Sequence, residues 1–519
     1  MPSIPKDFTA SVAAHFEHLN APDSPGAVVA VLKDGVEVFS GLYGSSHINT
    51  AEPMRRDTII RIGSQTKQFT VLLALMLEGD GLLSMDDTVQ QHLPWVPQFD
   101  HPVTLRQLAA NASGMRDHLE VVILSGAGLY GTSSRQDARD IVSRQDALNF
   151  TPDEAMLYSN TGFFLLGDII EKVTGQTYNQ VLRERITGPL GMNDTFLLER
   201  DNMAVPRLAS HYTKQPEGWF SLGWGFPFGG EGAMVSTLDD MIRWMANLNA
   251  PTVGTPEMHA RMATPSVFAN GVDSAYGLGL IADVYRGRRC VGHGGSVAGG
   301  KSESVRFVDD GLAVVILANS DPVATFSIGR RIADAWFGDA EPAALPFVPG
   351  HYREAGGPDL VALVAGSDAA LYQGAGGPAI KLDHGNPQGA KPERAVNDII
   401  LRPEADGSLS GLFCGSPRRY VPLAPGARAA APLAGRYGNA AQGFDVEITG
   451  DDSTAEFILR SPLGVNRATL RAIDADLWVM LPPGGGFDPG QQWTGTLIVT
   501  PTGFDLNTDR MKRLAFTKQ

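Results

Sequence analysis

Cysteine is almost missing: Cys290 and Cys414 are the only 2 in 519 residues. That is too few for a disulfide scaffold or a cysteine metal site. No apolar run reaches the roughly 18 residues that a membrane-spanning helix needs, so no membrane span is expected. Basic residues are in the minority, 42 Lys and Arg against 57 Asp and Glu, and the formal charge of -15 argues against nucleic acid or an anionic membrane surface as partner. The opening Met1-Pro2-Ser3-Ile4-Pro5-Lys6-Asp7 has no apolar stretch behind its lysine. No signal peptide is therefore expected, and a cytoplasmic protein is the simplest expectation, with a periplasmic one following if a leader has been removed. The 11 histidines show no His-x-x-x-His spacing, and no glycine loop stands in a nucleotide-binding context. Neither a metal nor any other cofactor is expected.

A hydrophobic content of 43% and a charged content of 19% describe a folded globular chain, and its length calls for several domains. Residues 26–44 read as a hairpin turning at Asp34-Gly35, and a helix is expected over 64–78 with Gly79-Asp80-Gly81 as its stop. Helical periodicity dominates from 104 to 185. Strand patterns return at Ser304–Val308 and Leu312–Leu317, and a last helix is expected over 326–337. Strands at both ends with helices between them imply one sheet built from both termini around a helical insertion, an α+β arrangement.

Composition changes after Phe337. Residues 338–345 read as a linker, and beyond them short strand-like pieces alternate with Gly/Pro turns. A weak internal repeat pairs Pro346-Phe347-Val348-Pro349-Gly350-His351-Tyr352-Arg353 with Pro432-Leu433-Ala434-Gly435-Arg436-Tyr437-Gly438. Each copy closes on a basic segment read as a strand, Pro417-Arg418-Arg419-Tyr420-Val421 and Asp509-Arg510-Met511-Lys512-Arg513-Leu514. The expected division is 1–337, then β-barrel modules over 346–424 and 432–519, with Leu423–Ala431 as the joint.

The chemistry-bearing stretch is Ile62-Gly63-Ser64-Gln65-Thr66-Lys67-Gln68-Phe69-Thr70. Residues three apart on a helix share a face, so the Lys67 amine can stand beside the Ser64 hydroxyl and activate it. The helix N-terminus favours negative charge developing there. The spacing alone is weak, since Ser3-Ile4-Pro5-Lys6 matches it in an amino-terminal tail. A second constellation is Leu157-Tyr158-Ser159-Asn160-Thr161-Gly162, opening a helix expected over 162–173. A tyrosine held near an ammonium has its phenolate favoured, so Tyr158 can accept the Ser64 proton and later deliver it to the leaving group. Asn160 can bridge Lys67 and a substrate amide. The plain alternative is a helix-capping turn with Tyr158 as packing. The third is Val291-Gly292-His293-Gly294-Gly295-Ser296. Side-chain-free positions let a substrate backbone lie along a strand edge, the Ser64 and Ser296 amides can form an oxyanion hole, and His293 can add a hydrogen bond or partial positive charge. Standing alone, this segment reads as a glycine-rich turn.

The order Ser-x-x-Lys, Tyr-x-Asn, His-x-Gly resembles that of the penicillin-recognising serine hydrolases, which include class C β-lactamases, D-alanyl-D-alanine carboxypeptidases, esterases and D-amino-acid amidases. Thr104-Leu105-Arg106-Gln107-Leu108, Ser113-Gly114-Met115 and Gly232-Ala233-Met234-Val235-Ser236-Thr237 look like further landmarks of that family. The likeness spans roughly residues 10–337 and is greatest to the bacterial D-aminopeptidase branch, through Gly63–Thr70 and Asn111-Ala112-Ser113-Gly114-Met115-Arg116-Asp117-His118. The resemblance implies an antiparallel sheet flanked by helices with a helical subdomain, followed by two small antiparallel β-barrels. It implies a serine hydrolase working through an acyl-enzyme, with Ser64, Lys67, Tyr158 and His293 as its catalytic set. Asn160, Gly294, Gly295, Ser296 and Ile281 would then face the substrate.

In that branch a loop of the last barrel enters the site and selects short substrates with a free amino terminus. The candidate here is Gly484-Gly485-Gly486-Phe487-Asp488 within 482–490, an ordinary surface hairpin being the alternative. Ile281 stands where that branch is expected to carry a substrate-facing asparagine, and an aliphatic side chain cannot hydrogen-bond a peptide group. The expected activity is release of amino-terminal D-residues from short peptides, amides or esters. A carboxylesterase or DD-peptidase/β-lactamase-like hydrolase, and a non-catalytic binding protein on the same fold, are the alternatives. Trp219, Phe220, Trp224, Phe226 and Phe228 either line an acyl pocket or pack in the core. The partner is a small molecule or short peptide, and a homodimer is left open.

Overall fold

Strand β1 (Ala27–Lys33) and strand β2 (Val36–Tyr43) form the expected hairpin. Asp34 and Gly35 have φ of 53° and 79°, which gives the turn the twist of the strands it joins. The chain returns to this sheet with β3 (Ile281–Tyr285), β4 (Arg288–Val297), β5 (Gly300–Phe307) and β6 (Leu312–Ala318). The order is β3-β4-β5-β6-β1-β2, and every neighbouring pair is antiparallel. The computed structural model describes residues 4–519 other than 22, 128–132, 224, 227, 367–369, 378, 394–397, 424–432 and 485–491.

Side-chain alternation makes this sheet a two-sided partition. Val28, Ala30 and Leu32 of β1 join Val315 and Leu317 of β6 in a core with Phe69, Leu72 and Trp244. Val29, Val31, Val314 and Ile316 face the other way, toward Phe8, Val12, Ile332 and Ala333. The second face is covered by the helices Phe8–Ala14 and Thr325–Phe337. The first is covered by the helix Thr66–Gly79, whose residues from Thr66 to Leu75 are all buried. Helices from Leu105–Ala109 to Tyr178–Leu182 make the helical part, and Asn160–Thr174 packs so closely on Leu108 that a Cβ at Gly162 would lie 2.9 Å from its carbonyl oxygen.

The carboxy-terminal region is all β. Strands from Gly350–Glu354 to Ser416–Pro422 form an eight-stranded antiparallel sheet, nearly closed by an Ala390↔Leu401 bridge. Strands from Gly435–Asn439 to Leu514–Lys518 form a closed eight-stranded barrel. The repeat has a structural counterpart: Tyr352 Oη donates to Val348 O at 2.7 Å and Tyr437 Oη to Leu433 O at 2.9 Å. Among the described residues no helix is long and apolar enough to cross a membrane.

One expectation changes: Arg418 and Arg419 do lie on a strand, but 509–513 form the connection before the final strand. The His-x-Gly segment lies inside β4, as the strand-edge reading needs and unlike the plain turn alternative. The aromatic cluster also divides. Phe226 and Phe228 pack near Leu119 and Val122, while Phe220 is exposed on a hairpin. Trp224 lies outside the described residues.

Candidate active site

Ser64 sits on a tight turn (Gly63–Gln65) that opens directly into the helix Thr66–Gly79. Ile62 N donates to Met234 O at 3.0 Å, and Thr66 Oγ1 donates to Gly63 O at 2.7 Å, so both sides of the turn are tied. Gly63 has φ 54°, a conformation glycine adopts at least cost, and a Cβ there would stand 3.0 Å from Ser296 N. Strand β4 therefore runs hard against the turn. A Cβ at Gly295 would lie 1.9 Å from Ile62 O, and one at Gly294 would lie 2.7 Å from the Glu303 carboxylate. Both positions need glycine because backbone or a buried side chain occupies the space a side chain would take.

Lys67 is fully buried one helical turn on. Its Nζ stands 3.2 Å from Ser64 Oγ and donates to Asn160 Oδ1 at 2.9 Å and to Glu231 O at 2.6 Å. Burial holds its amine well below the ordinary lysine range; the Glu231 and Asp117 carboxylates pull it back up, and Arg510 pushes it further down. Tyr158 is buried, with its hydroxyl hydrogen-bonded to Ser64 and Lys67 Nζ 4.8 Å from its ring centroid. Burial raises its phenol above the ordinary range, outweighing the Ser64 hydrogen bond and the Arg510 charge. The ionised Tyr158 offered by the sequence is thus disfavoured, and the neutral lysine is favoured.

Asn160 spans Lys67 and Asp117. Its Oδ1 accepts from the amine, while its Nδ2 and backbone N donate to Asp117 Oδ2 at 2.9 and 3.1 Å. One of its donors thus goes to a carboxylate rather than being held for a substrate amide. His293 is buried, with Nε2 3.0 Å from Tyr276 Oη and Nδ1 2.5 Å from Gly294 O. The carbonyl requires a proton on Nδ1, so Nε2 accepts from Tyr276. Burial, helped by Lys67, pushes the imidazole down to about 3. The ring is neutral near pH 7, so of the two contributions expected of it, a hydrogen bond or a partial positive charge, the charge is disfavoured.

Ser296 is exposed at the open side of β4. Ile281 pairs with Gly292 across the sheet edge and lines a cleft with Met156, Ala275, Phe326 and Arg330. Of the candidate loop, Gly484 N donates to Thr469 Oγ1 at 3.0 Å, and 485–488 lie outside the described residues.

Asp117, Glu231 and Arg510 are the site residues that sequence reasoning missed. Asp117 lay inside a quoted motif, and its cap on the helix His118–Val122 is the local signal. Arg510 stands in the connection before the final strand, with its guanidinium 5.0 Å from the Tyr158 ring centroid and 3.6 Å from Asp117 Oδ2. Nothing local in the sequence places a barrel residue there.

A family model described as Beta-lactamase matches residues 12–337. The chain belongs to the Beta-lactamase family. Within it, the chain is similar to the D-aminopeptidase of Cereibacter sphaeroides, at 30% identity over 323 residues, which is 62% of either protein. The chain thus matches less than two thirds of that relative's length. A D-stereospecific amidohydrolase from Streptomyces sp. aligns over 64% of this chain and 99% of its own, at 27% identity and a TM-score of 0.52. The octameric penicillin-binding protein homologue from Pyrococcus abyssi covers 94% of this Beta-lactamase-family chain and 98% of its own. Its TM-score of 0.56 and 20% identity speak for the fold alone.

Proposed function

We propose that the protein is a serine hydrolase that forms an acyl-enzyme on Ser64 and releases amino-terminal D-residues from short peptides, amides or esters. The observation that carries this reading is the arrangement of Lys67. Its two hydrogen bonds to Asn160 Oδ1 and Glu231 O use both hydrogens of a neutral amine, and the third direction, toward Ser64 Oγ, is left to the lone pair. Burial favours that neutral form. D-specificity is supported by the 30% identical D-aminopeptidase and by the D-stereospecific amidohydrolase.

In this reading Ser64 Oγ attacks the acyl carbon as its proton passes to Lys67 Nζ. Charge on the former carbonyl oxygen is held by the Ser64 and Ser296 N–H groups. The bond to the leaving nitrogen breaks as that nitrogen takes a proton relayed by Tyr158 from Lys67. Water then attacks the ester as Lys67 takes its proton. The bond from the acyl carbon to Ser64 Oγ breaks, and Ser64 Oγ takes that proton back from Lys67 as the free acid leaves. His293, neutral and tied to Tyr276, orders the strand beside the acyl group rather than supplying charge.

The test is release of p-nitroaniline from D-alanine p-nitroanilide against its L-enantiomer, with Ser64→Ala as the blank. D-selective release that vanishes in the blank is expected. Ile281 favours a second reading, since an aliphatic side chain offers a peptide no hydrogen bond. Brisk p-nitrophenyl acetate hydrolysis with no release from either anilide would move the assignment to an esterase. Full biological activity in Ser64→Ala would mean a binding protein.

A further inference from the structure

The connection 508–513 of the last barrel is held against the candidate site from several sides. Arg116 donates from Nη2 to Arg513 O at 3.0 Å and from Nε to Lys512 O at 3.4 Å. Asn149 accepts from Lys512 N at 2.7 Å and donates to Arg510 O at 3.3 Å. Lys512 Nζ reaches Asp359 of the first barrel at 2.7 Å. Arg513 adopts a φ of 55°, unusual for a residue with a side chain. These ties aim Arg510 at the one buried carboxylate, Asp117, that also orients Asn160 and through it Lys67.

We infer that Arg510 is a positioning residue contributed by the carboxy-terminal barrel, whose guanidinium, stacked on Tyr158 and paired with Asp117, sets the protonation of the Lys67–Tyr158 pair. This rests on the serine-hydrolase reading above. The charged and titratable groups around the pair are Glu231 in the loop beside Lys67, and Asp117, His118 and Glu120 at the helix His118–Val122. His293 and Tyr276 face it from the sheet side, and Asp509 stands beside Arg510. His118 and His293 are kept neutral by burial, and burial pushes the Glu120 carboxyl up to about 7. Arg135 acts on Glu231, whereas Arg510 is the cation besides Lys67 that acts on the pair itself. A fixed positive charge destabilises an ammonium at Lys67 and stabilises a phenolate at Tyr158. Removing it raises both groups, so the expected direction is the same whichever takes the Ser64 proton. It also leaves Asp117 less compensated, which acts on Lys67 in the same direction.

The experiment follows the rate of Ser64 labelling by a fluorophosphonate probe, read by intact mass from about pH 5 to about pH 10, in the full chain. Arg510→Met and Arg510→Gln are expected to move the rising limb alkaline by roughly one pH unit. Arg510→Lys, which keeps the charge, should move it much less. Melting curves establish that each variant is folded. An unmoved limb in a folded neutral variant overturns the inference, even with a slower rate throughout. Unfolding of both neutral variants beside a folded Arg510→Lys also overturns it, making the residue a structural clamp. Absence of labelling in the unmutated protein beyond the Ser64→Ala blank would instead sink the hydrolase reading itself.

Discussion

At Lys67 burial and neighbouring charge act in opposite directions. Glu231 and Asp117 favour the ammonium, yet both carry other partners, and full burial with Arg510 nearby keeps the amine acidic. Hydrolysis of p-nitrophenyl acetate should therefore rise with pH well below the ordinary lysine range, as the amine sheds its proton. Lys67→Arg cannot be neutral in this range, so its kcat/KM should fall by about 10²- to 10⁴-fold at every pH. The buried histidines make a separate prediction about stability. His293 and His211 are both pushed to about 3 by burial, from an unfolded value near 6.5. The unfolded chain therefore binds protons first as pH falls, and stability is fully present above about 6.5 and drains away toward about pH 3. Each ring contributes a slope of up to about 1.4 kcal/mol per pH unit in that window. Urea melts at about pH 7 and about pH 4.5 should show His293→Gln losing part of that acid sensitivity.

Helices and strands decide how these residues meet. A turn of Gly63–Gln65 in front of the helix Thr66–Gly79 puts Ser64 and Lys67 on one face, and that geometry was legible from the spacing together with the apolar helix that follows it. The His-x-Gly segment was harder, because glycines are read as turns unless something lies against them. Here the Ile62–Gly63 turn does, and β4 keeps its ladder with β5 through Gly294↔Glu303 and Gly295↔Ser302. Gly295→Ala should push the Ser64 turn away from Ser296, since its Cβ would meet Ile62 O at 1.9 Å and Ser302 Oγ at 2.4 Å. The expected result is a kcat loss of about tenfold or more together with a lower melting temperature, measured by steady-state kinetics and calorimetry. Unchanged kcat would show that β4 can retreat without disturbing the site.

Across the whole molecule, the last barrel is joined to the helical part by specific polar contacts. Ser461 Oγ donates to Ser125 O, Asn466 Nδ2 donates to Leu124 O, and the backbone at Gly126 lies so close to Val465 that a Cβ would meet it at 2.5 Å. Arg116, itself buried, is another of these joints: it donates to the Lys512 and Arg513 carbonyls and is held on its own side by Asp146 at 2.9 Å. Arg116→Ala should cost about 2 kcal/mol, because it strands two backbone carbonyls, while Asp146 is exposed enough for water to take the guanidinium's place. If docking of the barrel positions Arg510, the same variant should also lower turnover, read as kcat beside the melting temperature. The first barrel is held by charge, with Lys391 between Asp283 of β3 and its own Asp398, each at 2.8 Å.

The sequence by itself determined the α+β core, the two β modules and the local pairing of Ser64 with Lys67. Each depends on a short-range regularity: alternation along β1, helical spacing from Ser64, or a repeated tyrosine that bonds the carbonyl four residues before it. Tertiary structure alone decided that Tyr158 stays protonated, that His293 is uncharged, and that Asp117 and Arg510 belong to the site. Protonation follows from how much water a fold removes around a group, which no local pattern encodes. Arg510 lies almost four hundred residues along the chain from Asp117, and only the docking of a closed barrel brings its charge to that carboxylate.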